Sequence, residues 1–416
     1  MAKIITTIMD TGAVALLPIV MTLLGLIFGM GIKKALRAGL YVGIGFQGLS
    51  LVVGLLMSTI TPAIEYFKSL GGEKFTTVDM GWAALGGASW SAPFAAVAML
   101  LIVIINVLLI LFKATKVLNV DVWNFIHFLI PGTLSYALTG NYFIGLAVTV
   151  GLSVITLFVS EKFAKTWGDY FGVEGTTCTT FSFITFSYPF AVLLNKIFDH
   201  IPGLKDADFT VDGTNSKLGF LNDTAIMGAI VGIFLGLISK QNIQTLLIMS
   251  VGIASVMVLI PKMVSVMMEG LSAIGTGAQA FMRKRIGEDA ELYVGMDIAL
   301  GLGDPVVITV SVLMLPVAIL FAFLIPNMRY FPVGLLTVIV YMVPLIVMAC
   351  KGNFVRSFIS CVIFLFIVEF CAHIFAPEAT AMVGATGVQI EGMVTDGFFG
   401  FNLANIIICV IHRILM

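Results

Sequence analysis

Residues 294–325 read VGMDIALGLGDPVVITVSVLMLPVAILFAFLI, and this stretch decides the fold. Its second part, 306–325, is an apolar run long enough to cross a bilayer core of about 30 Å as a helix. Its first part, 294–305, is interrupted by glycine, proline and aspartate. Irregular backbone at membrane depth is tolerated only where it is buried in protein or lines a wet cavity. The stretch therefore predicts a broken membrane segment that leads into a spanning helix.

The composition extends this interpretation to the whole chain. Hydrophobic residues make up 59% of the 416 residues and charged residues only 11%, whereas a typical soluble domain carries about 25% charge. These figures exclude a water-soluble fold and an intrinsically disordered one. The apolar runs are also longer than the roughly ten-residue alternating stretches of a membrane β-barrel. We therefore predict an all-α polytopic membrane protein.

The net charge and the motifs exclude several functions. A net charge of −1 gives no basic footprint for nucleic acid. The five cysteines have no CxxC spacing, and no Cys/His constellation predicts a metal site. There is no Walker A motif, so we predict no ATPase domain and no cofactor.

The chain repeats itself at a shift of about 212 residues, which predicts two repeats over about 10–200 and 221–412. The broken segment 294–305 then has a counterpart at 81–93. The matched pairs are Gly172-Val-Glu-Gly175 with Gly384-Ala-Thr-Gly387, Thr139-Gly-Asn141 with Lys351-Gly-Asn353, and Pro93 with Pro305. A further match, Gly81 to Gly86 with Gly295 to Gly301, needs a shift of 214 and one insertion.

The topology follows from two further interrupted segments, 172–198 and 380–400, which we interpret as re-entrant hairpins. Each repeat then has five spans and a last span covers 401–416, giving about 11 transmembrane helices. An odd number of spans inverts the second repeat. With the N-terminus outside, 17 of the 22 Lys and Arg residues lie inside, as the positive-inside rule requires. This topology predicts a cytoplasmic C-terminus, surface stretches at 61–80 and 262–290, and an unbroken span at 333–350.

Inverted repeats with broken segments are typical of transporters, whose substrate sites lie where the broken segments of the two halves meet. Ionisable and aromatic residues in these segments are functional candidates. Asp297 and Asp304 flank the glycines of the second broken segment, although Asp304 precedes Pro305 and could simply cap the following helix. Trp82 in the first broken segment could stack on the C–H face of a polyol or anchor the chain at the interface.

Three more candidates lie outside the broken segments. Asn124 and His127 are three residues apart and share a helix face, from which they could bind hydroxyl groups or make an interhelical hydrogen bond. Glu174, which we place at the tip of the first hairpin, could accept hydrogen bonds from a sugar or polyol. Its alternatives are a hairpin tip that reaches water and a helix-capping interaction.

Five motifs together resemble the galactitol-type enzyme IIC of the bacterial phosphoenolpyruvate-dependent phosphotransferase system, in the ascorbate/galactitol superfamily. The resemblance covers nearly the whole chain, and the motifs keep their order. They are Asp10-Thr-Gly through Leu17-Pro18-Ile, Arg37-Ala-Gly-Leu-Tyr-Val-Gly-Ile-Gly-Phe46, Val117-Leu-Asn-Val-Asp-Val-Trp-Asn124, Gly172-Val-Glu-Gly175 and Leu300-Gly-Leu-Gly303.

The resemblance implies a multi-pass protein of the bacterial cell membrane that binds galactitol or a related sugar. It implies a homodimer, with a dimerisation part at 1–60 and 221–262 and a mobile core at 81–200 and 291–416 that moves like an elevator. The sugar would be phosphorylated by a phosphocysteine on a soluble IIB subunit, which is served in turn by IIA. The phosphoryl donor is therefore not in this chain, and its catalytic residues stay unassigned.

The resemblance also implies substrate contacts from both broken segments, from the helix with Asn124 and His127, and from the hairpin with Glu174. This chain departs from the family at Thr176-Thr-Cys-Thr-Thr180, where other galactitol-type sequences have a hairpin containing His and Pro. The residues alone leave the general base open among Glu174, His127 and Asp297. They also leave an alternative function, an ion- or proton-coupled secondary transporter that does not phosphorylate its solute, with Asp297 or Glu174 carrying the proton.

Overall fold

The computed structural model describes residues 12–71, 74–119, 122–204, 223–286, 292–388, 390 and 392–415. The predicted placement of the N-terminus, and the first part of the predicted 1–60 unit, fall on residues outside these ranges. The described chain is mostly helical and its halves contribute similar series of elements.

Helices and short strands alternate along both halves. The first half contains α1 (Gly12–Ile27), α2 (Ile32–Gly71), β1 (Thr77–Asp79), α3 (Trp82–Trp90), α4 (Ala95–Leu111), β2 (Val117–Asn119), α5 (Ile126–Thr139), α6 (Tyr142–Phe171), β3 (Thr176–Cys178) and α7 (Tyr188–Phe198). The second half contains α8 (Thr224–Ile238), α9 (Ile243–Ile286), β4 (Tyr293–Met296), α10 (Pro305–Leu324), α11 (Val333–Val338), α12 (Val343–Ala349), α13 (Phe354–Ile374), α14 (Ala376–Gly384), β5 (Met393–Thr395), α15 (Phe398–Phe401) and α16 (Leu403–Leu415).

Four of the described helices are long and apolar enough to cross a membrane by length and composition. They are found in Tyr142–Phe171, Ile243–Gly277, Pro305–Leu324 and Phe354–Ile374, and shorter apolar helices accompany them. On α4 the apolar side chains of Leu100, Val103 and Ile104 are each about half exposed, which fits a face turned to lipid. The prediction of a polytopic helical membrane protein is confirmed.

Equivalent caps begin α6 and α13 in the two halves. The side chain of Asn141 accepts hydrogen bonds from Phe143 N and Ile144 N at the start of α6. Asn353, 212 positions later, accepts one from Arg356 N at the start of α13. An asparagine side chain satisfies backbone donors that the first helical turn leaves free. The repeat identified in the sequence therefore has a structural counterpart at these two helix starts.

The helices α2 and α9 are longer than predicted. They continue through 61–71 and 262–286, so the surface stretches predicted there are wrong over these residues. Small residues let the two helices lie against each other: a Cβ at Gly45 would stand 2.5 Å from Met267 N, and Gly270 lies against Ala38 and Val42. Packing along this line holds the polar segments helical. The predicted span 333–350 is likewise not continuous, because a 3₁₀ turn at Ile339–Met342 separates α11 from α12.

Two small parallel sheets correct the prediction of an all-α fold. One has the order β2–β4–β3, and the other pairs β1 with β5. In the second sheet a bridge also joins Thr77 to Tyr330, on the other side of β1. In each sheet the central strand, β4 or β1, precedes a broken segment of one half, and its neighbours come from the other half. The halves thus build equivalent sheets from exchanged strands, the inner sheet around β4 and the outer sheet around β1. The names inner and outer refer to the two sides of the membrane in the topology that the positive-inside rule predicts.

The hairpins differ from the prediction in two respects. The first runs from β3 through a π-helical turn at Phe183–Ser187 into α7, so its tip lies at 179–182 and not at Glu174. The second runs through β5 and α15 and returns as α16. Arg413, near the end of α16, binds Glu378 on α14 and the carbonyl oxygen of Ile374 at the end of α13.

Helix α16 is therefore the returning arm of the second hairpin, because it ends on the face where α13 ends. The prediction of an eleventh span at 401–416 is wrong. If α13 keeps the sidedness that the charge bias gives it, the C-terminal end lies outside, contrary to the predicted cytoplasmic C-terminus.

Candidate functional site

The tip of the first hairpin contacts the start of α5. The amide of Asn124 donates from Nδ2 to Thr179 Oγ1 over 2.9 Å. Nδ1 of His127 lies 2.8 Å from Ser182 Oγ. Asn124 and His127 are both buried, and they present the same face to 179–182, as their spacing predicts.

The same tip contacts the second broken segment. Thr180 donates its hydroxyl to the carboxylate of Asp297 and accepts the backbone N–H of Ile298 over 2.9 Å. Asp297 Oδ1 also accepts from Ala299 N over 2.7 Å. Tyr341, in the break between α11 and α12, lies within electrostatic range of Asp297. The tip therefore joins Asn124, Asp297 and His127 through three polar residues, which are Thr179, Thr180 and Ser182.

Aromatic rings from other segments surround His127. Its ring centroid lies 5.0 Å from that of Phe398, 6.1 Å from that of Phe183 and 6.3 Å from that of Trp82. Its backbone carbonyl accepts from Asn402 Nδ2 over 3.0 Å. The first broken segment and both hairpin tips thus converge on one histidine. Of the predicted site residues, the structure brings together Trp82, Asn124, His127 and Asp297.

One acceptor in this group is left open. Oδ1 of Asn124 is buried and has no hydrogen-bond partner among the described residues. Buried polar atoms nearly always have a partner, so such an atom marks a place for a hydroxyl group or an ordered water. Together with the aromatic faces around His127, it gives a setting for a small molecule rich in hydroxyl groups.

Asp304 lies in a different environment. Its Oδ1 accepts from Val306 N over 2.8 Å and from Val307 N over 3.0 Å, which caps α10, and its Oδ2 accepts from the hydroxyl of Tyr170 over 3.3 Å. Both carboxylate oxygens are therefore occupied by partners at the helix start, in line with the capping alternative. A substrate role for Asp304 stays a prediction.

Glu174 is exposed in the turn that follows α6. This turn begins at Gly172, whose φ of +69° ends the helix in the left-handed conformation. Glu174 lies within electrostatic range of Lys165, whereas the hairpin tip with its buried hydroxyls lies further along the chain. The interpretation of Glu174 as the tip residue is wrong, and its predicted role as a ligand stays a prediction.

Sequence reasoning missed the outer counterpart of Asp297. Asp79 ends β1, accepts from Gly81 N over 3.2 Å and from Leu335 N over 3.0 Å, and so occupies the place of Asp297 in the outer sheet. Its neighbour across the sheet, Asp396, was missed as well. The signal was present, because both aspartates follow a strand and precede a broken segment. The sequence match uses a shift of 214 and therefore does not align Asp79 with Asp297. The two residues become equivalent at a shift of 218, which the structure reveals.

Comparison with known families decides the class of the protein. Residues 7–396 match EIIC-GAT, described as the PTS system sugar-specific permease component. The chain belongs to the EIIC-GAT family. The resemblance identified in the sequence is confirmed, and this EIIC-GAT chain is a multi-pass sugar permease component of a phosphotransferase system.

Two curated relatives from Escherichia coli (strain K12) are similar along most of their length. The PTS system galactitol-specific EIIC component is 31% identical over 362 residues, which cover 87% of this chain and 80% of the relative. A putative permease IIC component is 28% identical over 406 residues, covering 96% of this chain and 92% of the relative. The EIIC-GAT match thus extends through both broken segments and the first hairpin, and it ends at Asp396, two residues before Phe398.

Proposed function

We propose that this EIIC-GAT chain binds galactitol or a closely related sugar around His127 and moves it inward for phosphorylation. The convergence of both hairpin tips on His127, beside an unpartnered buried acceptor on Asn124, carries this proposal. A site that lies between two hairpins can be exposed to either side of the membrane when one hairpin moves and the other residues of the site stay in place. That is the property an alternating-access transporter needs.

The chemistry of the site fits a polyol. Asn124 Oδ1 can accept one hydroxyl, and the carboxylate of Asp297 can accept another in exchange for Thr180. The ring of Trp82 is half-buried and turned towards His127, so it can cover the C–H face of the carbon chain. The relative named for galactitol adds support for this sugar class.

Phosphorylation requires positioning of the sugar hydroxyl, charge stabilisation and a base. Asp297 and His127 can both take up a proton, and both contact the first hairpin. In the predicted topology this hairpin opens to the cytoplasm, where a IIB phosphocysteine would dock. We propose these two as the residues that position and deprotonate the hydroxyl, with IIB supplying the phosphoryl group and IIA reloading IIB.

The long helices α2 and α9 suit the fixed part of an elevator. They are in close contact over much of their length, whereas both hairpins and both broken segments belong to the other part of the chain. We propose that α1, α2, α8 and α9 form the dimerisation part and that the remaining elements move against it as the core.

The decisive experiment measures uptake of labelled galactitol into vesicles with and without the cognate IIB protein, and identifies the product. Galactitol phosphate formed only with IIB is the expected result. Free galactitol accumulating without IIB would refute group translocation and favour the ion- or proton-coupled transporter. If galactitol is not transported but another sugar is phosphorylated, the reaction stands and the substrate proposal fails.

The site itself is tested by binding of galactitol to the purified protein. Ala substitution of Asn124 should raise Kd, while Asn195→Ala, a substitution of a hydrogen-bonded asparagine in α7, serves as the matched control. Equal affinities in the two variants would show that the sugar does not bind at the hairpin tip.

A further inference from the structure

A group of acidic side chains lies at the outer sheet, apart from the residues that surround His127. It consists of Asp79 at the end of β1, Tyr330 in the loop before α11, Glu369 in α13 and Asp396 after β5, and is called the carboxylate cluster here. The hydroxyl of Tyr330 lies within electrostatic range of all three carboxyl groups, and Asp79 within range of Glu369 and Asp396.

Most polar atoms of the cluster have no partner. Both carboxyl oxygens of Glu369, Oδ2 of Asp396 and the hydroxyl of Tyr330 are buried without a hydrogen bond to any described residue. All three side chains are 0% exposed. An ionised Glu369, with neither a donor nor a counter-charge among the described residues, is far too costly, and Asp396 has no donor at Oδ2 and no counter-charge either, so both groups take up a proton instead.

The neighbours of the cluster do not supply a counter-charge. The charge that acts on Glu369 and on Asp396 is in both cases that of another acid, Asp79. Cys371, two residues after Glu369 in α13, is the remaining titratable group that acts on Tyr330. Arg329 precedes Tyr330 but is exposed and lies near His373.

Ion pairing at this end of α13 takes place elsewhere. Glu378 on α14 is occupied by Arg413. In the outer sheet itself, Asp79 is held by backbone donors of Gly81 and Leu335. Glu369 and Asp396 thus have no ion-pair partner among the described residues, and protonation is what neutralises them.

The cluster is not required by the fold, because the inner sheet lacks it. There Asp297 takes the place of Asp79, but Asn119 stands in register where the outer sheet has Tyr330, and Thr180 stands where it has Asp396. The same architecture is therefore built with neutral residues at these positions on the other side. Two buried acids, Glu369 and Asp396, on one side alone point to a task beyond folding.

A metal ion is not the ligand that this geometry fits. In the described part of the chain no group of three or more His, Cys, Asp or Glu side chains is placed to hold one. Unpartnered oxygens that lie within electrostatic range but outside coordination geometry suit protons, which each carboxyl group can hold by itself.

The cluster is linked to the second hairpin through the chain itself. Asp396 Oδ1 accepts from Phe398 N over 2.7 Å, and the ring of Phe398 lies on His127. Lifting the hairpin would break the pairing of β5 with β1, hydrate Glu369 and Asp396, and uncover His127 in one movement. Water stabilises the ionised acids, so opening and proton release favour each other.

We propose that the carboxylate cluster is a proton-binding site that is loaded when the second hairpin is closed and emptied when it opens. One proton for each of Glu369 and Asp396 is taken from the solvent on closing and returned to the solvent on opening. Closure of the outer side is therefore pH-dependent, and this dependence does not require the phosphoryl donor or any particular sugar.

The first test is infrared spectroscopy of the purified full chain, titrated from acid to alkaline pH. Wild type should keep the carbonyl band of a protonated carboxylic acid at neutral pH. Glu369→Gln and Asp396→Asn should each diminish this band, whereas Glu378→Gln, which removes an ion-paired acid, should leave it. Absence of the band in wild type at neutral pH would overturn the proposal.

The second test follows opening by thiol labelling of Cys409, which is buried in α16, in a variant that lacks the other four cysteines. Labelling of a thiol itself accelerates about tenfold per pH unit below its pKa. Release of the two linked protons should add up to another hundredfold per unit in wild type. Glu369→Gln should lose up to tenfold per unit of this added slope, and identical slopes in the two proteins would refute the linkage.

A third measurement separates the cluster from the sugar site. Glu369→Gln should bind galactitol at low pH with an affinity within about twofold of wild type. Loss of binding at every pH would show that Glu369 is a sugar ligand and would overturn its assignment as a proton site. The infrared and labelling results involve no sugar, so they stand or fall independently of the proposed substrate.

Discussion

Nδ2 of Asn124 lies 2.9 Å from Thr179 Oγ1, while Oδ1 of the same amide is buried without a partner among the described residues. Asn124 lies two residues before the start of α5, and Thr179 lies at the tip of the first hairpin, 55 positions later. One amide thus connects the hairpin to the core and keeps one acceptor for a ligand. This division of roles makes Asn124 the most direct test of the site.

Asn124→Ala should weaken galactitol binding by about three- to thirtyfold. The change removes a hydrogen bond to the sugar and leaves Thr179 without its donor, and each neutral hydrogen bond contributes about 0.5–1.5 kcal/mol. Binding can be measured by titration calorimetry on the purified protein. An affinity equal to that of the Asn195→Ala control would contradict the placement of the sugar at this amide.

Asp297 and Asp304 should behave differently although they are only seven residues apart. Asp304→Ala removes the cap of α10, which should cost about 0.5–2 kcal/mol of stability and lower the thermal transition, with little effect on Kd. Asp297→Asn should leave the transition nearly unchanged but slow phosphorylation at least tenfold. Thermal unfolding in detergent and the coupled phosphorylation assay measure the two effects. If the Asp304 variant lost more free energy of sugar binding than free energy of unfolding, Asp304 would be a residue of the sugar site.

Glu174→Gln should change neither the affinity for sugar nor the thermal transition by a measurable amount. The side chain is exposed in the turn after α6, and surface charges at such positions contribute little. The same calorimetric titration checks this. A tenfold loss of affinity would support the ligand role that the sequence predicts and would require the turn to fold over the site when sugar binds.

The sequence was sufficient for the local features of this protein. The pairing of Asn124 with His127 depends only on helical spacing, and the structure turns both side chains to the same hairpin. The equivalence of Asn141 and Asn353 follows from a repeat that can be read from the chain. The family resemblance extended these features to a class of transporter, which the match over residues 7–396 confirms.

The features that sequence did not reveal depend on partners far away in the chain. The strand at Thr77–Asp79 has only three residues and is formed because residues 393–395 and Tyr330 pair with it. Such a short strand has no hydrophobic periodicity from which it could be predicted. The continuation of α2 to Gly71 likewise depends on its contact with α9. The role of Asp79 was missed for a related reason, since its register with Asp297 is set by the sheets and not by similarity of residues.

Gly400→Ala should impair closure of the second hairpin. A Cβ at this position would meet the backbone of Val368 in α13, next to Glu369, and backbone cannot move aside as a flexible side chain can. We expect faster labelling of Cys409 and slower galactitol uptake. Gly384→Ala, where a Cβ meets nothing within 4 Å, is the control. Equal labelling rates in the two variants would show that α15 closes without this close approach to α13.

Two glycines of the same helix should respond oppositely to the same substitution. At Gly45 a Cβ would lie 2.5 Å from the backbone nitrogen of Met267 in α9, whereas at Gly54 it would meet nothing within 4 Å. Alanine favours a helix over glycine by about 1 kcal/mol at either position, so Gly54→Ala should hold or raise the thermal transition. At Gly45 overpacking should cost about 1–3 kcal/mol and reverse that gain. Thermal unfolding of both variants in detergent decides this. An equal rise in both would mean that α2 and α9 can separate without loss, and a pair so loosely joined could not form the fixed part of an elevator.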